Sequence, residues 1–467
     1  MSKVIHKEEE ITMEYTSEQQ KIINSVPKIK DCMKINAYAG TGKTFTLIAI
    51  AKRYPNSRFL YLAFNKAIAD EAKLKFPANV VVKTTHGLAY PYIVRRGEKV
   101  RGEYRVMEIA EITSQSYQMA LHTSKLLTTF FNSAFQSIRE LVSCYQENGD
   151  SIPGLAVSGA EKIYKKLKNR ELDITHSFYL KEFQLVTPPI NFDYVMLDEA
   201  QDSNDVTLDM FFKLQGRKII VGDTHQQIYA FRGSVDAIQN IHADISLSLT
   251  KTFRCRPAIV SAANFILSYY KKESQPIESV NKNVEKPITQ AYITRTNAAL
   301  IGFVAEFDEF SLTRKADEIF KSSLSVYYFI IKTHHLINPE FKFLTKFSGV
   351  SELQKYIEDT NDIELKMALT MATDYGSKLV QLLEKAKQNQ YTKSKLTLTT
   401  AHSSKGLEFD STILWDDFPS LMAVRDDEKL TDVEKDNEYN LLYVAVTRAR
   451  YSIENLTVNS FTVSAVS

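Results

Sequence analysis

Glycine is scarce in this chain, with 15 in 467 residues, about half of the roughly 7% usual in proteins. That scarcity excludes collagen-like, low-complexity and flexible-linker architectures. It also makes each glycine worth locating, because sharp backbone turns still require one. Cysteine is scarcer still: Cys32, Cys144 and Cys255 stand far apart, with no C-x-x-C spacing. They offer neither a zinc signature nor a disulfide framework, and imply a reducing compartment. A surplus of either charge is missing too, since 58 Lys+Arg face 56 Asp+Glu for a formal +2. Binding to a polyanion must then come from local patches and not from a global basic field. No apolar run approaches the ~18 residues of a membrane span; the longest lies near residues 326–331. Residues 1–14 are charged and lack the apolar centre of a secretory signal. The expectation is a soluble intracellular protein with no membrane partner and room for roughly three domains.

What is present is alternation. Residues 32–38 read as a short buried strand, run through Ala39-Gly40-Thr41-Gly42, and enter a helical stretch at 43–52. A second strand at 59–63 precedes a helix with Asn65 as its cap, and 80–82 reads as a third strand. Residues 192–197 and 218–221 are two more apolar strands, each ending in polar residues. This order predicts a parallel sheet flanked by helices, with ligands at the carboxyl ends of the strands. From about 89 to 185, and again from 300 to 395, the pattern turns mainly helical. Strands return at 396–400 and 411–415, followed by an acidic, loop-like stretch at 416–438. Locally basic segments at 95–101 and 162–170 read, taken alone, as solvated helix faces.

Ala37-Tyr38-Ala39-Gly40-Thr41-Gly42-Lys43-Thr44 fits a phosphate-binding loop, with Ala37 in the place of the first glycine. Gly40 and Gly42 let backbone N–H groups converge on phosphate oxygens. Lys43 would reach the outer phosphates, and the Thr44 hydroxyl would bind Mg²⁺. A dinucleotide fingerprint is disfavoured, because its third glycine is missing. Asp198-Glu199-Ala200-Gln201-Asp202 ends an apolar strand expected to neighbour the phosphate-loop strand. Asp198 suits Mg²⁺ held through water, and Glu199 suits the base that orients an attacking water. An acidic helix start alone would also favour carboxylates, but a strand-borne pair downstream of a phosphate loop specifies nucleotide hydrolysis. Arg254 and Arg448 are the candidate cations for developing γ-phosphate charge, though either alone would pass for a surface arginine.

Together these segments spell a family. Tyr15-Thr16-Ser17-Glu18-Gln19 resembles a Q-motif, and the phosphate loop resembles helicase motif I. Phe64-Asn65-Lys66 is similar to motif Ia, Thr84-Thr85-His86-Gly87-Leu88 to motif Ib, and residues 198–202 to motif II. Residues 221–233, with His225-Gln226-Gln227, resemble motif III; Phe253-Arg254 motif IV; Thr294-Arg295-Thr296-Asn297 motif IVa. Residues 400–409 and 443–449 resemble motifs V and VI. In this order, over residues 15 to 450, the set resembles the superfamily 1A, UvrD/Rep-like DNA helicases. Details such as His176-x-x-Tyr179-Leu180-Lys181 are most similar to the helicase domain of F-box DNA helicases, without an F-box segment. Departures are Cys255, where many members carry serine, and Asn437-Glu438-Tyr439-Asn440, which lacks the usual arginines.

The resemblance implies an α/β fold of two RecA-like parallel-sheet P-loop lobes, each with a mainly helical inserted subdomain. Lobe 1A would take residues 1–88 and 186–250, subdomain 1B 89–185, lobe 2A 251–299 and 396–467, and a short subdomain 2B 300–395. ATP and Mg²⁺ would sit between the lobes, with Ala39, Gly40, Thr41, Gly42, Lys43 and Thr44 around the phosphates. Gln19 would read adenine, Phe253 would stack on it, and Glu408 would contact the ribose. Gln226 and Arg254 would sense the γ-phosphate, with Arg448 arriving from the second lobe. Single-stranded DNA would stack on Phe64, Tyr229 and Phe231, side chains that alone would read as core, and such stacking tolerates any sequence. Asn65, His86, Arg232, His402 and Lys405 would hold the strand. The implied activity is an ATP-dependent single-stranded DNA translocase and helicase, moving 3′ to 5′ in repair, recombination control or related processing. Its substrates would be single strands and single/double-strand junctions. An ATP-switched DNA clamp or protein–DNA remodeller without robust unwinding stays open, motivated by the short 300–395 insertion. The location would be cytoplasmic and nucleoid-associated in a bacterium or phage, nuclear in a eukaryote.

Overall fold

The computed structural model describes residues 15–228, 238, 241–281 and 288–454. Two parallel sheets organise them. From edge to edge the first holds Val80–Thr84, Phe59–Ala63, Asn191–Leu197, Gln215–Gly222, Cys32–Ala37 and Ile245–Leu249. Its strands are buried on both faces, so their sequences are almost continuously apolar, as in Phe59-Leu60-Tyr61-Leu62-Ala63. Alternate side chains feed two cores. Met33, Ile35, Phe59 and Tyr61 pack with Ile22, Leu47 and Ile50 on one side. Leu60, Leu62, Val195 and Ile220 pack with Leu88, Phe183 and Met210 on the other.

The carboxylate strand is not the immediate neighbour of the phosphate-loop strand. Gln215–Gly222 lies between them. The three strands still end nearly level, with Asn36 opposite Gly222 and Leu197 opposite Ile220, so their loops share one edge. The second sheet runs Ser311–Leu312, Leu396–Thr400, Gln290–Thr294, Phe409–Leu414 and Ala449–Glu454, again all parallel.

Residues 89–185 form helices packed on Leu126, Phe130, Ile163 and Phe178, with Val100–Arg101 pairing Ile174–Thr175 near the two ends. The 300–395 segment is not helical throughout. Ser311–Leu312 extends the second sheet, held by Ser311 against Thr397 at 3.1 Å and Thr313 against Thr399 at 2.7 Å. The expected loop at 416–438 is also partly helical: it contains Leu421–Asp426 and the start of Asp432–Val446. Thr431 and Glu434 make a capping box, and carboxylates suit the positive end of that helix.

The two helical insertions are fastened together. The Arg105 guanidinium lies over Phe341 at 4.4 Å and Phe343 at 4.7 Å. Met107 is buried in the core of the 300–395 segment, Tyr117 meets Tyr356 edge-on at 5.2 Å, and Lys346 pairs with Glu111. Met107→Ala is expected to lower unfolding free energy by about 2–4 kcal/mol, the usual loss for a core methionine. Urea denaturation measures it, and a loss under about 0.5 kcal/mol would mean that the seam carries no stability.

Candidate functional site

The phosphate loop leaves the Cys32–Ala37 strand and turns into the Lys43–Arg53 helix. Both turning points need glycine. Gly40 has φ +70°, and a Cβ there would lie 2.5 Å from Arg254 Cβ; Gly42 has φ +81°. Thr41 Oγ1 donates to the Tyr38 carbonyl at 2.8 Å, which fixes the curl between Ala39 and Gly42. Thr44 follows on the first helical turn, half-buried.

Lys43 Nζ sits 2.8 Å from Glu199 Oε1, so the phosphate lysine and the candidate base face each other. Asp198 accepts from the Tyr61 hydroxyl at 2.5 Å and from the Glu199 N–H at 2.9 Å. Burial and the adjacent Glu199 carboxylate push Asp198 upward. Burial pushes Glu199 the same way, but Lys43 and Lys405 more than offset it and hold that carboxyl low. Glu199 thus stays ionised, the state a water-orienting carboxylate needs. Its backbone is left-handed at φ +52°, a strain of ~1–3 kcal/mol of the kind found at functional sites.

A chain of hydrogen bonds leads from Glu199 into the second lobe. Gln201 Nε2 donates to Glu199 at 2.6 Å, and Gln201 Oε1 accepts from the Asp223 N–H at 3.0 Å. Gln226 Nε2 donates to Asp223 at 2.5 Å, and Gln226 Oε1 accepts from Arg448 at 3.2 Å. Gly222 makes room for this path, because a Cβ there would lie 2.3 Å from Gln201 Oε1. Arg448 is 1% exposed. Its remaining donors go to the Val444 and Leu407 carbonyls and the Thr447 hydroxyl. Among the described residues no carboxylate forms an ion pair with it. Burial, then the neighbouring Arg254, lowers its guanidinium to about 10. The Asp432–Val446 helix closes the seam further: Tyr443 donates to Asp223 at 3.3 Å, and Asn440 to the Gln227 carbonyl at 2.9 Å.

Three predicted ligand contacts have partners inside the protein. Arg254, expected at the γ-phosphate, donates to Glu408 at 2.7 Å and to the Thr447 carbonyl at 3.1 Å. Glu408, expected at the ribose, also accepts from Arg450 at 2.9 Å. Burial alone would raise Glu408, and the two guanidiniums bring it below the usual carboxylate range. Lys405, expected on the nucleic acid, pairs with Asp202 and donates to the Gln226 carbonyl at 2.6 Å. A shielded charge takes an opposite partner wherever the fold brings one, and motif spacing does not reveal that partner. At the base end, Gln19 Oε1 accepts from the Thr16 N–H at 3.0 Å, while its Nε2 is buried with no partner. The Phe253 N–H donates to the Gly40 carbonyl at 2.9 Å, which ties the second lobe to the phosphate loop.

Beside the carboxylates, a cleft of about 620 Å³ is lined by Phe64, Asn65, His86, Ser177, Asp198 and Asn204. Asn65 caps the Lys66–Lys75 helix, accepting from the Ile68 N–H at 2.9 Å. His86 Nδ1 lies 2.9 Å from the Tyr179 hydroxyl, with its ring edge-on to His176 at 5.9 Å. Burial, then His176, lowers His86 to about 4, so the imidazole is neutral at physiological pH. His402 lines a second pocket, about 380 Å³, with Arg295, Thr400 and Glu438. There Arg295 and Glu438 pair at 2.6 Å. Tyr229, Phe231 and Arg232 lie outside the described residues.

The sequence reading gives no role to Gln201, Asp223, Tyr61, Asn440 or Tyr443. The signal available for the last three is a polar group within or at the start of a buried apolar run, since such groups need partners. The arrangement defines a class: two parallel-sheet lobes sharing one composite candidate phosphate site. Residues 15–246 match the UvrD/REP helicase N-terminal domain, and residues 233–458 the UvrD-like helicase C-terminal domain. The chain belongs to the UvrD-like helicase family, and its sheets are the two RecA-like lobes. It is 28% identical to F-box DNA helicase 1 of Gallus gallus, over 93% of this chain and 48% of that protein. It is also 28% identical to F-box DNA helicase protein 1 of Schizosaccharomyces pombe, over 93% of this chain and 56% of that protein. A mitochondrial ATP-dependent DNA helicase of Saccharomyces cerevisiae is 25% identical, covering 57% of this chain and 42% of its own. The chain thus spans about half the length of the two F-box relatives.

A neutral His86 yields a specific expectation. His86→Gln should leave unchanged the slope of log affinity for single-stranded DNA against log salt, whereas losing one charged contact shifts it by about 0.7. Because the ring takes its proton only near pH 4, its contribution should also stay flat between about pH 8 and pH 6. Fluorescence titration of wild type and variant at several salt concentrations and pH values measures both.

Proposed function

We propose that this chain is an ATP- and Mg²⁺-dependent single-stranded DNA translocase and helicase. By family resemblance it moves 3′ to 5′ and serves DNA repair, recombination control or related processing in the nucleoid or nucleus. The observation that carries the reading is the hydrogen-bond chain from Glu199 through Gln201, Asp223 and Gln226 to Arg448. It joins the hydrolysis site of one lobe to a cation of the other. The relatives, DNA helicases by name in each case, support DNA as the substrate. Among the described residues no helix is long and apolar enough to cross a membrane.

The residues fit the ligands this requires. Gln19 Nε2 is a buried donor without a partner, and Gly40 and Gly42 leave the space that a side chain would fill. Thr44 and Asp198 would hold Mg²⁺, which binds through one or two protein oxygens and keeps several waters. When bound, the ion would supply positive charge against that developing on the phosphates. Lys43, in turning to the outer phosphates, releases Glu199 to orient water. Arg448 needs no such release, because its charge has no carboxylate to leave, and it faces the γ-phosphate from the second lobe. Gln226, held between Asp223 and Arg448, links the state of that charge to the chain segment leading toward residues 229–232. In the cleft, Phe64, Asn65 and the neutral His86 suit stacking and polar contact with bases, not phosphate pairing.

ATP turnover should rise with single-stranded DNA and fall about 100-fold or more in Lys43→Ala and in Glu199→Gln. Equal turnover with and without DNA overturns the reading. Gln201→Ala should slow turnover about tenfold or more while ATP affinity stays near wild type, since both of its hydrogen bonds in the chain, to Glu199 and from Asp223, are lost. Single-turnover unwinding of 3′- and 5′-tailed duplexes tests direction, and a preference for 5′ tails reverses the assigned polarity. ATPase with protein displacement but no strand separation would select the clamp or remodeller reading.

A further inference from the structure

Three consecutive residues of one short turn reach the second lobe. Gln226 meets Arg448, the Gln227 carbonyl meets Asn440, and His225 Nε2 lies 3.2 Å from Glu273 Oε2. An ionised carboxylate only accepts hydrogen bonds, so Nε2 carries the imidazole proton. His225 is 3% exposed, and its other ring nitrogen, Nδ1, is buried with no partner among the described residues. The polar anchorage of that ring therefore rests on Glu273. Aromatic rings flank it: Tyr38 of the phosphate loop stacks on it at 5.7 Å, and Tyr443 meets it edge-on at 6.1 Å.

The local backbone presets Glu273 for that contact. It follows the Pro257–Phe265 helix, which packs on the second sheet through Ile259 with Ala291 and Ile293. The helix widens into a π-type turn at Ile266–Tyr270, a local device common at functional sites. Lys272 then turns left-handed at φ +56°, and the Glu273 N–H folds back to the Leu267 carbonyl at 2.9 Å. The carboxylate is fixed from its own side, since Oε1 accepts from the Ser274 N–H at 2.7 Å and the Gln275 N–H at 3.0 Å. His225 first, then these two N–H groups, hold Glu273 low, at about 2, against the opposing effect of burial. Oε2 is left for His225.

We propose that Glu273 is an interlobe positioning residue: it seats His225 against Tyr38 and so fixes the adjacent Gln226 for the hydrolysis step. This rests on the proposed nucleotide hydrolysis and assigns to it a residue outside every motif named above. Under that reading Arg448 turns toward a γ-phosphate, and its contact with Gln226 is drawn into the reaction. Glu273 lines neither the cleft at Phe64 nor the pocket at His402, so its contact holds the same turn to the second lobe while Arg448 is engaged. The His225 N–H, donating to Asp223 at 3.0 Å, ties the turn to its own lobe. Tyr38 adds the phosphate loop to the junction, for it is buried in one cluster with Ile259, Tyr443 and Val446 of the second lobe.

Steady-state ATP turnover of the full chain with saturating single-stranded DNA tests the proposal. Glu273→Ala should lower kcat about tenfold, the loss of one hydrogen bond to a charged group, with KM for ATP within about twofold of wild type. Glu273→Gln should keep kcat within about threefold of wild type, because its amide can bond either imidazole tautomer. His225→Phe keeps the stack on Tyr38, removes the hydrogen bond and should match Glu273→Ala. The double variant should fall within about twofold of either single one, as coupled partners do. Losses that multiply in the double variant, or a kcat for Glu273→Ala within about twofold of wild type, overturn the proposal. A rise in KM with kcat unchanged overturns it too. Where thermal melting shows Glu273→Ala to be unfolded, His225→Phe decides by the same limits on kcat and KM. Absence of turnover in wild type overturns the hydrolase reading instead.

Discussion

The constraint on which the structure turns is the burial of Arg448. A guanidinium taken out of water loses several kcal/mol of hydration, and this one has only neutral acceptors to replace it. Two of those acceptors, the Val444 and Leu407 carbonyls, belong to its own lobe; Gln226 belongs to the other. The lobes cannot part without stripping the cation of a partner, and they cannot close in a shifted register without leaving it unsatisfied. Interlobe geometry and the electrostatics of the phosphate site are therefore one problem with one solution.

The other cations of the site obey a different rule. Lys43 holds Glu199, Lys405 holds Asp202, and Arg254 shares Glu408 with Arg450. Each already has a carboxylate, so under the proposed function a phosphate arriving at Lys43 or Arg254 would exchange one anion for another. Exchange of that kind avoids most of the desolvation that a bare buried charge would suffer. Arg448 alone among these five has no anion to give up. Under the proposed function it is the group whose environment improves most when γ-phosphate charge is present and worsens most when it is lost.

Much of this was legible in the sequence because it is local. The phosphate loop, the Asp198–Glu199 pair and the apolar strands that carry them each occupy a few consecutive residues, and the structure forms those elements where the pattern predicts. What escaped was pairing across long separations. The placement of Gln215–Gly222 between the phosphate-loop and carboxylate strands is a property of the whole sheet, as is the attachment of Ser311–Leu312 to an edge laid down by residues 396–400. Lys405 finds Asp202 from 203 residues away, and Arg254 finds Glu408 from 154; no local spacing encodes either. The helix beginning at Asp432 is a different case. Its Thr431-x-x-Glu434 box is local and readable, and the acidity of residues 416–438 masked it, because carboxylates mark helix starts as well as loops.

The two lobes are joined on two sides by contacts of opposite character. On the nucleotide side the seam is made of hydrogen bonds among Asp223, Gln226, Asn440, Tyr443 and Arg448. On the far side it is made of Arg105 between two phenylalanines, Met107 in a foreign core, and the Tyr117–Tyr356 ring pair. A polar seam can trade partners with a charged ligand and settle into a second arrangement of similar energy. The second seam, although it also carries the Lys346–Glu111 pair, trades less readily, since opening it exposes apolar surface at about 25 cal/mol per Å². Under the proposed function, nucleotide-driven rearrangement would fall on the first seam, with the second as the more rigid side. With a net charge of only +2, long-range attraction contributes little to holding a nucleic acid against that motion. Under the proposed function the load would fall on short-range stacking and polar contacts in the cleft, where a neutral His86 and the half-buried Phe64 would suit releasing one base and taking the next.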